Sequence, residues 1–276
     1  GMVQPVIDLF NQAQLHQALE QANVLLQKFP SSVTLLNILG AANQGLGKLD
    51  EAINAFKKAI AIRPDYAQAY NNMGSAFKNK GMVEEAIEAF NKALSIKPNY
   101  TGAHNNMGNA LKEQGRLNEA IEAYKKALSL KPDYAEAYYN MGNAFLDKGK
   151  QEEAVETFKK ALSINPNYAE AYNNIGITLQ DQGKIKKAIE AYTKAIAIKP
   201  DYAEAYYNIG NALQDQGKVE EAVEAYNKAL SIKPDFLEAY VNMGNGHQEK
   251  GELEEALAAY YKALSIKPDF FEPWNN

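Results

Sequence analysis

The chain has no cysteine, a single tryptophan and only three histidines among its 276 residues. Without cysteine it can form no disulfide framework, no thiolate nucleophile and no metal centre built on sulfur ligands. It also has no apolar run near the roughly 18 residues a membrane-spanning helix needs. Its first residues lack a basic start followed by an apolar stretch, and Gly1-Met2 reads as an expression scar ahead of a start codon. The formal net charge is −5, and acids and bases are interleaved throughout, so no basic stripe exists for a phosphate backbone. Nucleic acid and membrane are therefore not expected as partners, and a cytoplasmic location is.

What the chain does have is a period. Pro30, Pro64, Pro98, Pro132, Pro166, Pro200, Pro234 and Pro268 fall at a constant interval of 34, and two glycine series, from Gly40 to Gly244 and from Gly47 to Gly251, keep the same spacing. Within one period Tyr70, Met73 and Phe77 follow the three-to-four spacing of one helix face, and Val83, Ile87, Phe90 and Leu94 mark a second helix. Gly81 lies between them, where a left-handed residue ends a helix, and Pro98 stops the second helix. The "PDYAEAY" phrase predicts a capping box at the next start, pairing Asp133 with Glu136, Asp201 with Glu204 and Asp235 with Glu238. Small residues at Gly74, Ala86 and Ala93 predict close helix approach. One such pair cannot bury its apolar face alone, so neighbours must stack into a solenoid.

Tyr70, Met73, Gly74, Phe77, Ala86, Phe90, Ala93 and Pro98 together resemble the tetratricopeptide repeat, and so do Tyr206, Ile209, Gly210, Leu213, Ala222, Tyr226, Ala229 and Pro234. The resemblance implies an all-α fold, a right-handed superhelical solenoid of antiparallel helix pairs. Its frame divides the chain into a degenerate partial repeat over residues 1–32, seven complete repeats over 33–270 and the truncated start of an eighth over 271–276. In that eighth unit Phe271 opens the frame, Trp274 takes the place of Tyr240 and Asn276 continues an asparagine column. With no polar capping helix after it, the carboxyl-terminal end is expected to support self-association. The "AYNNMGNALKEQG" style of phrase further resembles the repeat arm of O-GlcNAc transferases and of bacterial transferases fused to such arrays.

Catalysis is not expected, because a catalytic site is a unique constellation and nearly every polar residue here recurs every 34 positions. His16, His104 and His247 lie in different repeats, and the recurring serines have no base in register, so no catalytic, metal or cofactor residue is assigned. The functional candidates are Asn72, Asn106, Asn140, Asn174, Asn208 and Asn242. The family's geometry implies that this column faces the concave groove, where side-chain amides can pair with the main chain of an extended polypeptide whatever its sequence. The same column reads as a set of bonds between neighbouring helices, in which case it would govern folding rather than binding. Specificity is expected where the period is broken, at Tyr139, Leu146, Ile177, Tyr207 and Val241, which form either an apolar hot spot or local packing. Glu136, Glu170, Glu204 and Glu238, with Asp147, Asp181, Asp215 and Glu249, should border the groove, and Lys78 and Lys112 lie toward its amino-terminal part. Family members that clamp a terminal carboxylate do so with Lys and Arg; Asn71, Asn105 and Asn173 stand there instead, so no clamp is expected. The expected function is a protein-interaction module that binds extended polypeptide; the alternatives are a substrate-presenting arm of a larger enzyme and a self-assembling scaffold.

Overall fold

A computed structural model describes residues 3–268, and among them it contains sixteen α-helices and no strand. The chain divides into two compact units, Gly1–Lys150 and Gln151–Asn276. In the first, α1 (Gln4–Asn11) and α2 (Leu15–Lys28) form a shortened pair. Next come α3 (Val33–Gly45) with α4 (Leu49–Ile62), α5 (Ala67–Asn79) with α6 (Val83–Ile96), α7 (Thr101–Glu113) with α8 (Leu117–Leu130), and then α9 (Ala135–Asp147). The second unit holds α10 (Gln151–Ile164), α11 (Ala169–Asp181) with α12 (Ile185–Ile198), α13 (Ala203–Gln214) with α14 (Val219–Ile232), and α15 (Leu237–Glu249) with α16 (Leu253–Ile266). Within each unit a first helix packs on its own partner and on the second helix of the preceding pair. Each unit is thus an all-α solenoid of helix pairs. Phe271, Trp274 and Asn276, on which the eighth repeat was read, lie outside the described residues.

The turn inside a pair follows from backbone geometry. Gly115 adopts φ +74°, and the following amide, that of Arg116, reaches back to the Leu111 carbonyl at 2.9 Å, which closes α7 in a Schellman turn. The turn between pairs is made differently from the expected capping box. The N-cap positions of α9, α13 and α15 are Tyr134, Tyr202 and Phe236, and none carries a side-chain capping bond. The helices start one residue later than the aspartates require. The cation at the end of the preceding segment lies over the N-cap ring instead, Lys131 5.2 Å from Tyr134, Lys199 4.6 Å from Tyr202 and Lys233 4.5 Å from Phe236. The glutamates turn elsewhere: Glu170 and Glu204 pair with Lys199 and Lys233 at 3.6 and 3.5 Å, and Glu136 accepts from Asn105 Nδ2 at 3.3 Å.

The complete pairs within each unit, from α3 with α4 onward, close on one repeated contact. The second helices bury Phe56, Phe90, Tyr124, Tyr192 and Tyr226 almost completely, flanked by alanines such as Ala86, Ala93, Ala222 and Ala229 with no exposed surface. Each of these rings lies against a glycine of its own first helix. A methyl placed on Gly108 would come within 2.5 Å of Tyr124 Cε1, and one on Gly210 within 2.4 Å of Tyr226 Cε1. Gly210→Ala must therefore displace a buried ring, and it should destabilise the protein by about 1 to 3 kcal/mol. Urea unfolding checks this, and a smaller loss when Tyr226→Val is already present would show that the ring is the cause.

The buried rings also set a limit at high pH. Burial is the first reason that the Tyr124, Tyr192 and Tyr226 hydroxyls hold their protons well beyond the usual tyrosine range, and carboxylates near each of them add to it, Asp147 and Glu136 at Tyr124 and Asp181 and Asp215 at Tyr192. In the unfolded chain these groups ionise near pH 10. Above about that pH the unfolded state binds fewer protons than the folded one, so the stabilisation is complete below pH ~10 and falls as pH rises from there. Urea midpoints measured from pH 8 to 11 should stay level and then drop, and replacing the three tyrosines with Phe should flatten the drop.

Candidate functional site

Asn72, Asn106, Asn140, Asn174, Asn208 and Asn242 occupy one position of successive first helices, and all are half-buried. Their amides are not idle. Asn72 Nδ2 donates to Asn37 Oδ1 at 3.0 Å, Asn106 to Asn71 at 3.1 Å, Asn140 to Asn105 at 3.1 Å and, in the second unit, Asn208 to Asn173 at 3.0 Å. In each of these bonds the acceptor is the residue 35 positions earlier, so within each unit the column forms a relay in which a first helix bonds to the one before. Asn37, Asn71, Asn105 and Asn173 are buried, Asn105 completely. Where the acceptor position becomes Tyr207, its hydroxyl takes the same role and accepts from Asn242 Nδ2 at 3.1 Å. A second acceptor is present at two rungs: Ser75 Oγ lies 3.4 Å from Asn106 Nδ2, and Asn211 Oδ1 lies 2.9 Å from Asn242 Nδ2.

One Nδ2 donor of each of these amides is thus committed within the protein, which orients Oδ1 and its acceptor capacity; Asn72 Oδ1 also accepts from Asn71 Nδ2 at 3.3 Å. Asn174 likewise has an interaction partner. In the sequence the acceptor column is an asparagine preceding the candidate column, with no local sign of its bond to the next repeat. A second set of rungs ties the ends of the first helices together: Lys112 to Asp147 at 3.2 Å, Gln180 to Asp215 at 2.7 Å and Gln214 to Glu249 at 3.4 Å. Three of the acids expected to border a groove are therefore held by neighbouring repeats.

The five period-breaking residues divide between the units. Tyr139 and Leu146 are half-buried on α9 and Val241 is half-buried on α15, while Ile177 on α11 is 37% exposed. Tyr207 is engaged in packing, its ring 4.8 Å from that of Phe236 and 5.9 Å from that of Tyr226. Two of the histidines have local roles: His104 Nε2 lies 2.8 Å from the Pro98 carbonyl, and His247 Nδ1 lies 2.6 Å from Glu252 Oε2. No helix among the described residues is long and apolar enough to cross a membrane.

Sequence profiles described as TPR repeat match residues 45–81, 108–149, 142–183 and 178–217, and profiles described as tetratricopeptide repeat match 67–100, 89–122, 203–236 and 237–270. The chain belongs to the tetratricopeptide repeat family. Among solved structures, this tetratricopeptide repeat protein is similar to MamA, with 34% identity over 59% of this chain and 95% of MamA at a TM-score of 0.55. It is also similar to YrrB, described as a TPR protein with an unusual peptide-binding site, with 26% identity over 68% of this chain and 97% of YrrB at a TM-score of 0.54. The APC/C hetero-tetramer Cut9–Hcn1 shares the fold, with a TM-score of 0.69 at 17% identity over 93% of this chain and 51% of its own. No curated protein matches the chain by sequence. The family and its neighbours make this tetratricopeptide repeat array a protein-interaction module.

The relay connects the candidate site to folding. Asn140→Ala removes the donor to a fully buried acceptor and should lower stability by about 1 kcal/mol. Tyr207→Phe should have a smaller effect, because Asn242 keeps Asn211 as an acceptor. Both are checked by urea midpoints. An unchanged midpoint in Asn140→Ala would mean that the relay contributes nothing to folding.

Proposed function

We propose that the first-helix face of each compact unit binds an extended polypeptide by its main chain, with the Oδ1 atoms of Asn72, Asn106 and Asn140 in the first unit and of Asn174, Asn208 and Asn242 in the second accepting from peptide N–H groups. The observation that carries this reading is the orientation that the relay imposes on the column's amides. With Nδ2 bonded to the preceding repeat, the amides of Asn72, Asn106, Asn140, Asn208 and Asn242 are each held in one orientation, and each of these residues is only half-buried. A pre-oriented acceptor loses little rotamer freedom on binding, so the net gain per bond is larger than for a free side chain. Recurrence of the same acceptor suits a main chain, whose N–H groups also recur, and it explains why the column tolerates no change of residue over six repeats. The neighbouring YrrB structure, named for a peptide-binding site, supports peptide as the class of ligand. Ile177, the most exposed of the five period-breaking residues, is the apolar contact that would add side-chain preference in the second unit.

The test uses a peptide selected on the protein from a random-sequence display library, followed by ester versions that replace single peptide N–H groups. Each ester at a contacting position should weaken binding about fivefold, the equivalent of one hydrogen bond of about 1 kcal/mol. Esters that bind as well as the parent peptide at every position would eliminate main-chain recognition by the column.

A further inference from the structure

The second helices stand apart on the side away from the asparagine column and leave clefts at equivalent places in the repeat. One in the first unit includes Glu51, another includes Arg116, Glu119 and Glu122, and they enclose about 490 and 430 Å³. The corresponding cleft of the second unit, between α10 and α12 over α11, encloses about 810 Å³. That is a volume typical of ligand sites. Its floor is apolar, with Leu162, Tyr172, Ile175 and Leu179. Val155 on its wall is half-buried, as is Ile189 at the same repeat position, whereas Ile53, Ile87, Ile121 and Val223 there are buried and Leu257 is exposed. At about 100° per residue, Tyr172, Ile175 and Leu179 lie on one stripe of α11 and Asn174 and Ile177 on the opposite one. The cleft is therefore separate from the proposed main-chain site.

One of its walls reverses the charge found at the same place in the other repeats. The first turn of the second helix carries Asp50-Glu51, Glu84-Glu85, Asn118-Glu119, Glu152-Glu153, Glu220-Glu221 and Glu254-Glu255, but α12 carries Lys186-Lys187. Two cations near the positive end of a helix dipole are unfavourable, and neither lysine makes an ion pair among the described residues. A local rule broken without compensation inside the fold marks a place where something outside it supplies the partner. Lys187 lines the cleft with Lys159, Lys184 and Lys194. The acids on the same walls are Glu152, Glu156 and Glu190, and Glu156 is paired with Lys160 at 3.1 Å. Lys194 extends over the Tyr172 ring at 5.7 Å, which places a cation at the edge of the apolar floor.

We propose that this outer cleft docks an acidic segment of a partner protein, with apolar side chains entering between α10 and α12 and flanking carboxylates meeting Lys184, Lys187 and Lys194. An apolar floor with Lys184, Lys187 and Lys194 on its α12 side matches a peptide that alternates hydrophobic and acidic residues. A bare phosphate backbone would leave the floor unfilled.

The test is fluorescence anisotropy with a labelled peptide in which a Leu-Phe pair is flanked on both sides by Glu and Asp. The controls are the same peptide with Lys in place of the acids and a single-stranded DNA oligonucleotide. The acidic peptide should bind, weakening as salt is raised from about 0.05 to 0.3 M because the contacts are exposed. Lys186→Glu with Lys187→Glu restores the residues found in the other repeats, so its urea midpoint should not fall, and its affinity for the acidic peptide should drop about tenfold or more. Asn208→Ala, which touches only the column, should leave this binding intact, so failure of this cleft and failure of the main-chain site are told apart. Absence of binding, equal binding of the basic peptide or the DNA, or an affinity unchanged within about twofold in the double variant would overturn the proposal. So would a concentration-dependent mass in sedimentation that the double variant abolishes, since the occupant would then be a second copy of the chain.

Discussion

The contact between a first-helix glycine and the edge of a second-helix ring is the constraint on which the complete pairs within each unit depend. It brings two backbones close enough for alanines to fill the rest of the seam, and it fixes how far the second helix can rotate about its axis. Rotation matters because the ring hydroxyl, where the ring is tyrosine, must also find a partner. Tyr124 reaches Asn109 at 2.7 Å, Tyr192 reaches Gln180 at 2.9 Å, and Tyr226 lies 2.8 and 2.9 Å from Asn211 and Gln214. The apolar contact and the polar one lie at opposite ends of the same side chain, so the pair has one packing that satisfies both. The first-helix face is oriented by that packing, and with it the asparagine column.

The repeat made most of this fold legible. A 34-residue period in proline and glycine locates the turns, and the three-to-four spacing of apolar residues assigns the helices between them. What could not be read along the chain was the choice among local partners. The aspartate of "PDYAEAY" has the right spacing to cap, but the lysine before the proline has a ring within reach, and the turn is built on that contact instead. The same is true of the candidate site. The asparagine column is plain in the sequence, whereas its pairing with a residue 35 positions earlier is a consequence of stacking and has no local signature. The lysine pair at the start of α12 was open to view as a reversal of charge within an otherwise acidic series. It gains meaning only beside the cleft that its neighbours line.

Two kinds of polar residue can be separated on this basis. Those whose hydrogen bonds close within the protein hold neighbouring repeats in register, as Asn105 and Asn173 do from positions almost without solvent contact. Those that retain capacity after the internal bonds are made are the ones available to a ligand. Asn140 and Asn208 belong to both kinds, because Nδ2 bonds to the preceding repeat while the residue stays only half-buried. A substitution there changes two properties together, and binding measurements on such variants are interpretable only beside a stability measurement on the same protein.

The relay between first helices runs in one direction, with the donor in the later repeat and the acceptor in the earlier one. Because donor and acceptor sit at fixed positions of the same 34-residue unit, removing or duplicating a whole unit within either compact region leaves every remaining donor facing an acceptor of the same chemistry. Tyr207 shows that even the acceptor's identity is flexible while its oxygen is kept. An array wired in this way can change length by unequal recombination without a compensating mutation, and the seam left behind is indistinguishable in bonding from any other.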